Sequence, residues 1–167
     1  WFSSTFQEFR VISIYEPPTF HKDSIYPVVM VTDGVAKQIA QAFEKSQFMK
    51  RIKPFIIVGI HNREPQKVDS ILAGLEIDFR SKEMLGDVWL TKNIEAEKNP
   101  EIVALVDNRM PKYCIWIVDE VSDFMISHYN LSPKSKWTIG GFSNGGSIVL
   151  KISTDYPESF GNAISMS

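Results

Sequence analysis

The sequence predicts an α/β fold: a doubly wound, mostly parallel sheet with flanking helices. Three observations carry that prediction. Two nearly continuous apolar runs of strand length, YPVVMVT at 26–32 and FIIVGI at 55–60, stand on either side of a helix-length segment. Runs without polar alternation suit strands covered on both faces, as in parallel sheets. A second unit, KWTIGGFSNGGSIVLKISTDY at 136–156, reads as strand, sharp turn and helix. The whole chain alternates β and α signals in this way, which is the pattern of a sheet with crossover helices.

Taken in order, FRVISIY at 9–15 is β-rich and alternating, a strand ended by Pro17 and Pro18. The run at 26–32 suits a central parallel strand. Asp33 and Gly34 follow it, then a helix over about 35–48 with Ile39, Ala42 and Phe43 on one side. The strand at 55–60 completes a βαβ unit, whose crossover should be right-handed. From His61 to Pro111 the pattern is irregular, with helical possibilities near 68–75 and 101–106. A segment of that length is a functional loop or lid, or an ordinary surface excursion. Residues 113–129 predict a helix. Cys114, Ile117, Val118, Val121, Phe124 and Met125 form its apolar stripe, while Asp119, Glu120, Ser122 and Asp123 face away. Residues 163–167 read as a strand cut off at its end.

Composition limits the function classes. The 167 residues fit one domain, 1–167, large enough to bury a core. A net charge of −2 with no basic stretch argues against nucleic acid as a partner. No apolar run reaches the length of a membrane span. The lone cysteine, Cys114, excludes an internal disulfide and a cysteine-rich metal site. It fits a cytoplasmic, periplasmic or secreted setting equally. Neither a metal nor an organic cofactor is called for.

The turn at 140–146, GGFSNGG, contains G-x-S-x-G between a predicted strand and a predicted helix. That context is the one in which the motif acts as a nucleophile elbow. The serine sits on a strained apex, so bulky neighbours are excluded and the helix must pass close to the strand. Trp137, Thr138 and Ile139 supply the strand; Ile148, Val149, Leu150 and Ile152 supply the buried side of the helix. Ser143 is the candidate nucleophile, and the Asn144 backbone N–H points toward where an oxyanion would form. The bland alternative is a Gly/Ser-rich turn without chemistry. In a doubly wound sheet ligands bind at the carboxyl ends of the strands, where Asp33-Gly34-Val35, His61-Asn62 and 141–145 should converge.

Four segments resemble a known family: YPVVMVTDG, FIIVGIHN, GGFSNGGSIVL and DYPESFGNAISMS. In order and spacing, from about Phe9 to Ser167, they look like the putative-esterase branch of the α/β-hydrolases. That branch includes esterase D, enterochelin esterases, feruloyl and acetylxylan esterases, and mycolyltransferases. The resemblance implies that Ser143 is the nucleophile. It also implies that the oxyanion hole combines the Asn144 N–H with a backbone N–H after Asp33-Gly34, assigned to Val35. Asp33, Gly34, His61 and Asn62 are candidate pocket residues.

The sequence also departs from the family. A serine needs a base and the base an orienting acid, in the chain order Ser, acid, His. No histidine follows Ser143. Asp155 is twelve helical residues away, roughly 18 Å along the axis. The triad acid and His are therefore expected beyond Ser167, and the 167-residue chain alone is expected to turn over little ester. His61 as base would need an unusual chain order; its expected role is to line the pocket or cap a strand. His21 belongs to a turn and His128 to a helix end. Trp89 and Trp116 are assigned to the core rather than to a pocket. Three readings follow. The first is a serine esterase acting on a small-molecule carboxylic ester, siderophore- or carbohydrate-linked. The second is an acyltransferase with the same elbow, and the third a non-catalytic ligand-binding domain. Acyl group, alcohol, compartment and oligomeric state are not encoded in any motif.

Overall fold

A computed structural model describes residues 1–33, 36–45, 52–63, 66–67, 76–77, 80, 83–84, 100 and 108–167. Among the described residues the main sheet has five strands. β3 (Ile12–Tyr15), β4 (Val28–Thr32), β5 (Ile56–Ile60), β8 (Thr138–Phe142) and β9 (Asn162–Met166) are arranged in the order β3-β5-β4-β8-β9. β4 runs parallel to both β5 and β8, β8 runs parallel to β9, and β3 is antiparallel to β5. The expected mostly parallel sheet is therefore present, with the 26–32 run at its centre. Two small antiparallel pairs lie outside it: β1 (Phe2–Ser3) with β2 (Glu8–Phe9), and β6 (Gln66–Lys67) with β7 (Glu76–Ile77).

Both faces of the central strands β4 and β5 are covered, as their unbroken apolar runs required, whereas β9 is exposed along its length. On one face α1 (Ala36–Lys45) lays Ala40 and Ile39 against Val31 and Ile57. On the other, Val28, Met30, Ile56, Val58, Ile60 and Ile139 meet a long helical stretch and α4 (Asn144–Asp155). The long stretch comprises α2 (Arg109–Ile115), a π-helical turn (Trp116–Val121) and α3 (Ser122–His128). Burying a Leu- or Ile-sized side chain contributes about 1.5–3 kcal/mol, so this second face supplies most of the core's stabilisation.

Several elements differ from expectation, each for a physical reason. The strand expected over 9–15 divides into β2 and β3. Arg10 turns its side chain into a buried charge cluster, while its main chain pairs with Trp1. Ala42 is exposed; Ala40 takes the buried place beside Ile39. The helix expected from Tyr113 begins at Arg109, with Pro111 in its first turn, where a missing N–H costs nothing. Ser122 is buried rather than outward. The π turn changes the phase of the helix, and Ser122 Oγ donates to Ile117 O, five residues back, at 3.2 Å. Leu150 is exposed. It stands two residues past Ile148, roughly 200° round the helix, so Ile148, Val149 and Ile152 fill the buried face without it. Trp116 is fully buried, as a core residue should be. Gly34, Val35, Trp89, the end of the helix expected to reach 48 and the helices expected at 68–75 and 101–106 fall outside the described residues.

Candidate active site

β8 ends at Phe142, α4 begins at Asn144, and Ser143 alone joins them. A chain reversal in one residue forces an unusual backbone: Ser143 has φ 54° and ψ −120°. For a non-glycine residue such strain costs on the order of 1–3 kcal/mol, and it persists only where surroundings over-determine it. Here they do. Ser143 N donates to Met166 O of the neighbouring strand at 2.8 Å, and the α4 ladder starts with Ser147 N donating to Ser143 O at 3.3 Å. The serine itself is exposed.

The flanking glycines allow the close approach. A β-carbon on Gly141 would overlap Thr32 Oγ1, and one on Gly145 would lie 2.7 Å from the same oxygen. One on Gly146 would lie 2.8 Å from Ser165 Oγ and 2.9 Å from Met166 O. Thr32, fully buried at the end of β4, uses this closeness. Its hydroxyl donates to Gly145 O at 3.1 Å, with Gly140 O at 3.4 Å as the weaker acceptor. The first N–H groups of α4, that of Asn144 among them, have no carbonyl partner within the helix and carry its positive end. An exposed hydroxyl on a strained apex beside such donors is suited to attack a carbonyl and to hold the resulting oxyanion.

Of the other expected residues, Asp33 and Asn62 do come to the elbow. Asp33 follows β4 with φ 67°, and its β-carbon lies 3.1 Å from the position a Gly145 β-carbon would take. Asn62 Nδ2 donates to Asp33 Oδ1 at 3.0 Å. Arg80 completes the group with a two-pronged ion pair, Nε to Asp33 Oδ1 at 2.6 Å and Nη2 to Oδ2. Sequence reasoning missed Arg80. It lies in a charged run, IDFRSKE, with nothing to single it out. Gly34 and Val35 are outside the described residues, so the second oxyanion donor has no geometry to report.

None of the three histidines reaches Ser143 through a hydrogen bond. His61 stands at the end of β5, as expected, but its Nε2 lies 2.7 Å from Ser13 Oγ on β3. β3 flanks β5 on the side away from β4 and β8, so the ring points away from the elbow. β5 and β8 are themselves two strand spacings apart, about 10 Å. His61 therefore caps the sheet rather than facing the serine. His128 Nδ1 sits 2.8 Å from Phe124 O in the last turn of α3, and His21 lies in an exposed turn beside Asp23.

Beside His61 lies a feature the sequence did not announce. Glu83 is fully buried, and Arg10 grips both of its oxygens at 2.7 and 2.9 Å. Arg109 donates to Glu83 Oε1 at 2.6 Å and to Glu8 Oε1 at 2.7 Å. Arg63 adds its backbone N–H to Glu83 and its guanidinium to Glu8. Arg10 also donates to His61 O at 3.1 Å and stacks 4.4 Å over Phe6 and 4.7 Å over Trp116. Burial works to raise the Glu8 pKa, but Arg109, Arg10 and Arg63 outweigh it and hold the carboxyl below its usual range. Burial, helped by the Glu83 charge, pushes the neighbouring Tyr113 hydroxyl well above its ordinary range. Arg10, a charge inside the β-rich run FRVISIY, was the one available signal for this cluster.

Among the described residues, no group of three or more His, Cys, Asp or Glu side chains is placed to hold a metal ion. Nor is any helix among them long and apolar enough to cross a membrane. Burial pushes the Cys114 thiol up to about 11, so it is an unreactive core residue.

Comparison with known proteins agrees with the fold. The model of the family described as "Putative esterase" matches residues 96–167, the segment that holds the elbow. No curated protein matches the sequence. Among solved structures, a ferulic acid esterase from Anaeromyces mucronatus superposes with TM-score 0.62 at 16% identity, over 96% of this chain and 53% of that one. An enterochelin esterase from Shigella flexneri gives TM-score 0.61 at 14% identity, over 98% and 33%. An IroE-like serine hydrolase from Shewanella oneidensis gives 0.64 at 20%, over 99% and 49%. The chain thus spans about half the length of the first and last of these and a third of the second. In fold, and through the match at 96–167, the chain is similar to the putative-esterase family of the α/β-hydrolases.

Proposed function

We propose that the protein is a serine esterase that cleaves a small-molecule carboxylic ester through an acyl-serine intermediate. The observation that carries this reading is the backbone of Ser143, strained and exposed at a one-residue strand-to-helix junction beside the first N–H groups of α4. In the reaction, Ser143 Oγ attacks the ester carbonyl while a base takes its proton. The carbonyl oxygen gains the charge and is held by the Asn144 N–H, with a second backbone donor after β4, assigned to Val35. Collapse of this intermediate returns the proton to the departing alcohol and leaves the acyl group on Ser143. Water then repeats the sequence and releases the acid. With His61 engaged by Ser13, this reading takes the base and its orienting acid from residues beyond Ser167. The similar ferulic acid esterase was solved with ferulic acid. Esters of aromatic acids, including carbohydrate- and siderophore-linked ones, are accordingly the first class to try.

The test is covalent labelling by a fluorophosphonate together with turnover of an activated ester by the intact protein. Ser143→Ala should remove labelling and lower kcat by several orders of magnitude, up to ~10⁶. Labelling that survives in Ser143→Ala would assign the chemistry to another serine.

A further inference from the structure

Asp33 does more than turn the chain. Its positive φ is explained by the turn that follows β4, where Asp is a favoured residue. That does not explain why its carboxylate is held by donors drawn from 29 and 47 residues away, Asn62 and Arg80. The carboxylate is largely buried, whereas the Arg80 side chain that grips it remains nearly half exposed. On its opposite side the Asp33 turn rests on α4, with the Asp33 β-carbon close to Gly145 and Thr32 Oγ1 bonded to Gly145 O. Gly145 has no side chain of its own to set this spacing. The first turn of α4 is thus seated on residues 32–33, and residue 33 is in turn clamped by Arg80 and Asn62.

We propose that Arg80, acting through Asp33, is a positioning residue for the elbow. Its fork and the Asn62 amide fix the Asp33 turn against Gly145 and so set the direction of the neighbouring Asn144 N–H relative to Ser143 Oγ. This rests on the acyl-serine reading of Ser143. An oxyanion donor acts only if fixed before the charge develops. A guanidinium suits the task because two parallel bonds define an orientation, whereas an ammonium supplies charge without the second prong. Among the described residues, Arg80 meets the elbow through Asp33.

The experiment compares the intact wild-type protein with Arg80→Gln, Arg80→Lys and Asn62→Ala. It measures turnover of an activated ester, the rate of fluorophosphonate labelling at Ser143 and the melting temperature. Arg80→Gln should lower kcat about 10- to 100-fold, the range expected when a reacting group is misplaced by about an ångström. KM should stay within about twofold, because binding in the ground state is untouched. Labelling of Ser143 should slow by the same factor while still reaching completion. Arg80→Lys should recover part of the loss, and Asn62→Ala should show a smaller loss in the same direction. The melting temperature reports any loss of stability separately, so that the rates are compared on folded protein. Wild-type kcat and labelling rate in Arg80→Gln would overturn the proposal while leaving Ser143 as nucleophile. A raised KM at unchanged kcat would also overturn it, since Arg80 would then be binding substrate. A wild-type protein whose Ser143 takes no label would sink the acyl-serine reading, and this inference with it.

Discussion

The elbow and the Glu83 cluster lie at the same end of the sheet, yet they are held by opposite means. At the elbow the constraints are main-chain: a positive φ at Ser143, carbonyls and β-carbon positions packed around Gly141, Gly145 and Gly146, and one threonine hydroxyl. In the cluster they are side-chain charges, with two glutamates and three arginines brought together from four separated segments. The first arrangement exposes a serine hydroxyl and tolerates strain. The second buries Glu83, Arg10 and Arg109 and leaves Glu8 and Arg63 partly exposed at its margin. The contrast is one of means: the elbow's geometry is imposed by close backbone packing, and the frame beside it is held by ion pairs largely shielded from water.

Breaking the cluster should have the largest effect on stability and little direct effect on chemistry. Glu83→Gln leaves two arginines buried against a neutral amide, and losing one partner of a buried pair costs about 3–5 kcal/mol. Denaturant unfolding measures this as a lower midpoint at unchanged slope. An unshifted midpoint would mean that the cluster is solvated in solution and locks nothing. Disturbing the elbow's packing should cost less. Gly145→Val pushes side-chain atoms into Thr32 and Asp33, which should destabilise by about 1–3 kcal/mol and also slow labelling of Ser143. An unchanged melting temperature would contradict the close strand-to-helix approach.

How well the two regions could be read from sequence follows from the same contrast. The elbow depends on residues within a few positions of one another, so glycine spacing, the preceding strand and the following helix all pointed to it before any coordinates. Errors in the helices were of phase only. Leu150 was placed on the buried side though it lies far round the helix from Ile148, and Ser122 was turned outward because a π turn leaves no mark on apolar spacing. The cluster offered no such local signal. Glu8, Glu83 and Arg109 stand in polar surroundings where a charge is normally solvated, and only the fold decides that these meet. Arg80 was illegible for the same reason. His61 was correctly placed at the mouth of the sheet; its direction was set by Ser13, a residue no motif connects to it.

The finest test exploits the strain at Ser143 itself. Ser143→Gly removes the β-carbon from a position with φ 54° and should stabilise the protein by about 1 kcal/mol while abolishing labelling. A variant that is less active and more stable would show that the elbow gives up stability for reactivity. A destabilised Ser143→Gly would show that the turn is relaxed as it stands.

The spacing of partners along the chain also bears on the order of assembly during folding. The elbow's tie between Ser165 and Gly146 spans 19 residues, whereas Arg109 meets Glu8 across 101 and Arg10 meets Glu83 across 73. Long closures lose more chain entropy before any contact offsets it, so local units form early and distant ones late. The β8–α4–β9 unit is thus expected to nucleate and the charge cluster to lock last. On that account Glu83→Gln should speed unfolding and leave the refolding rate nearly unchanged in stopped-flow measurements. The ion pairs would then act as a latch that keeps the native state closed and contribute little to reaching it.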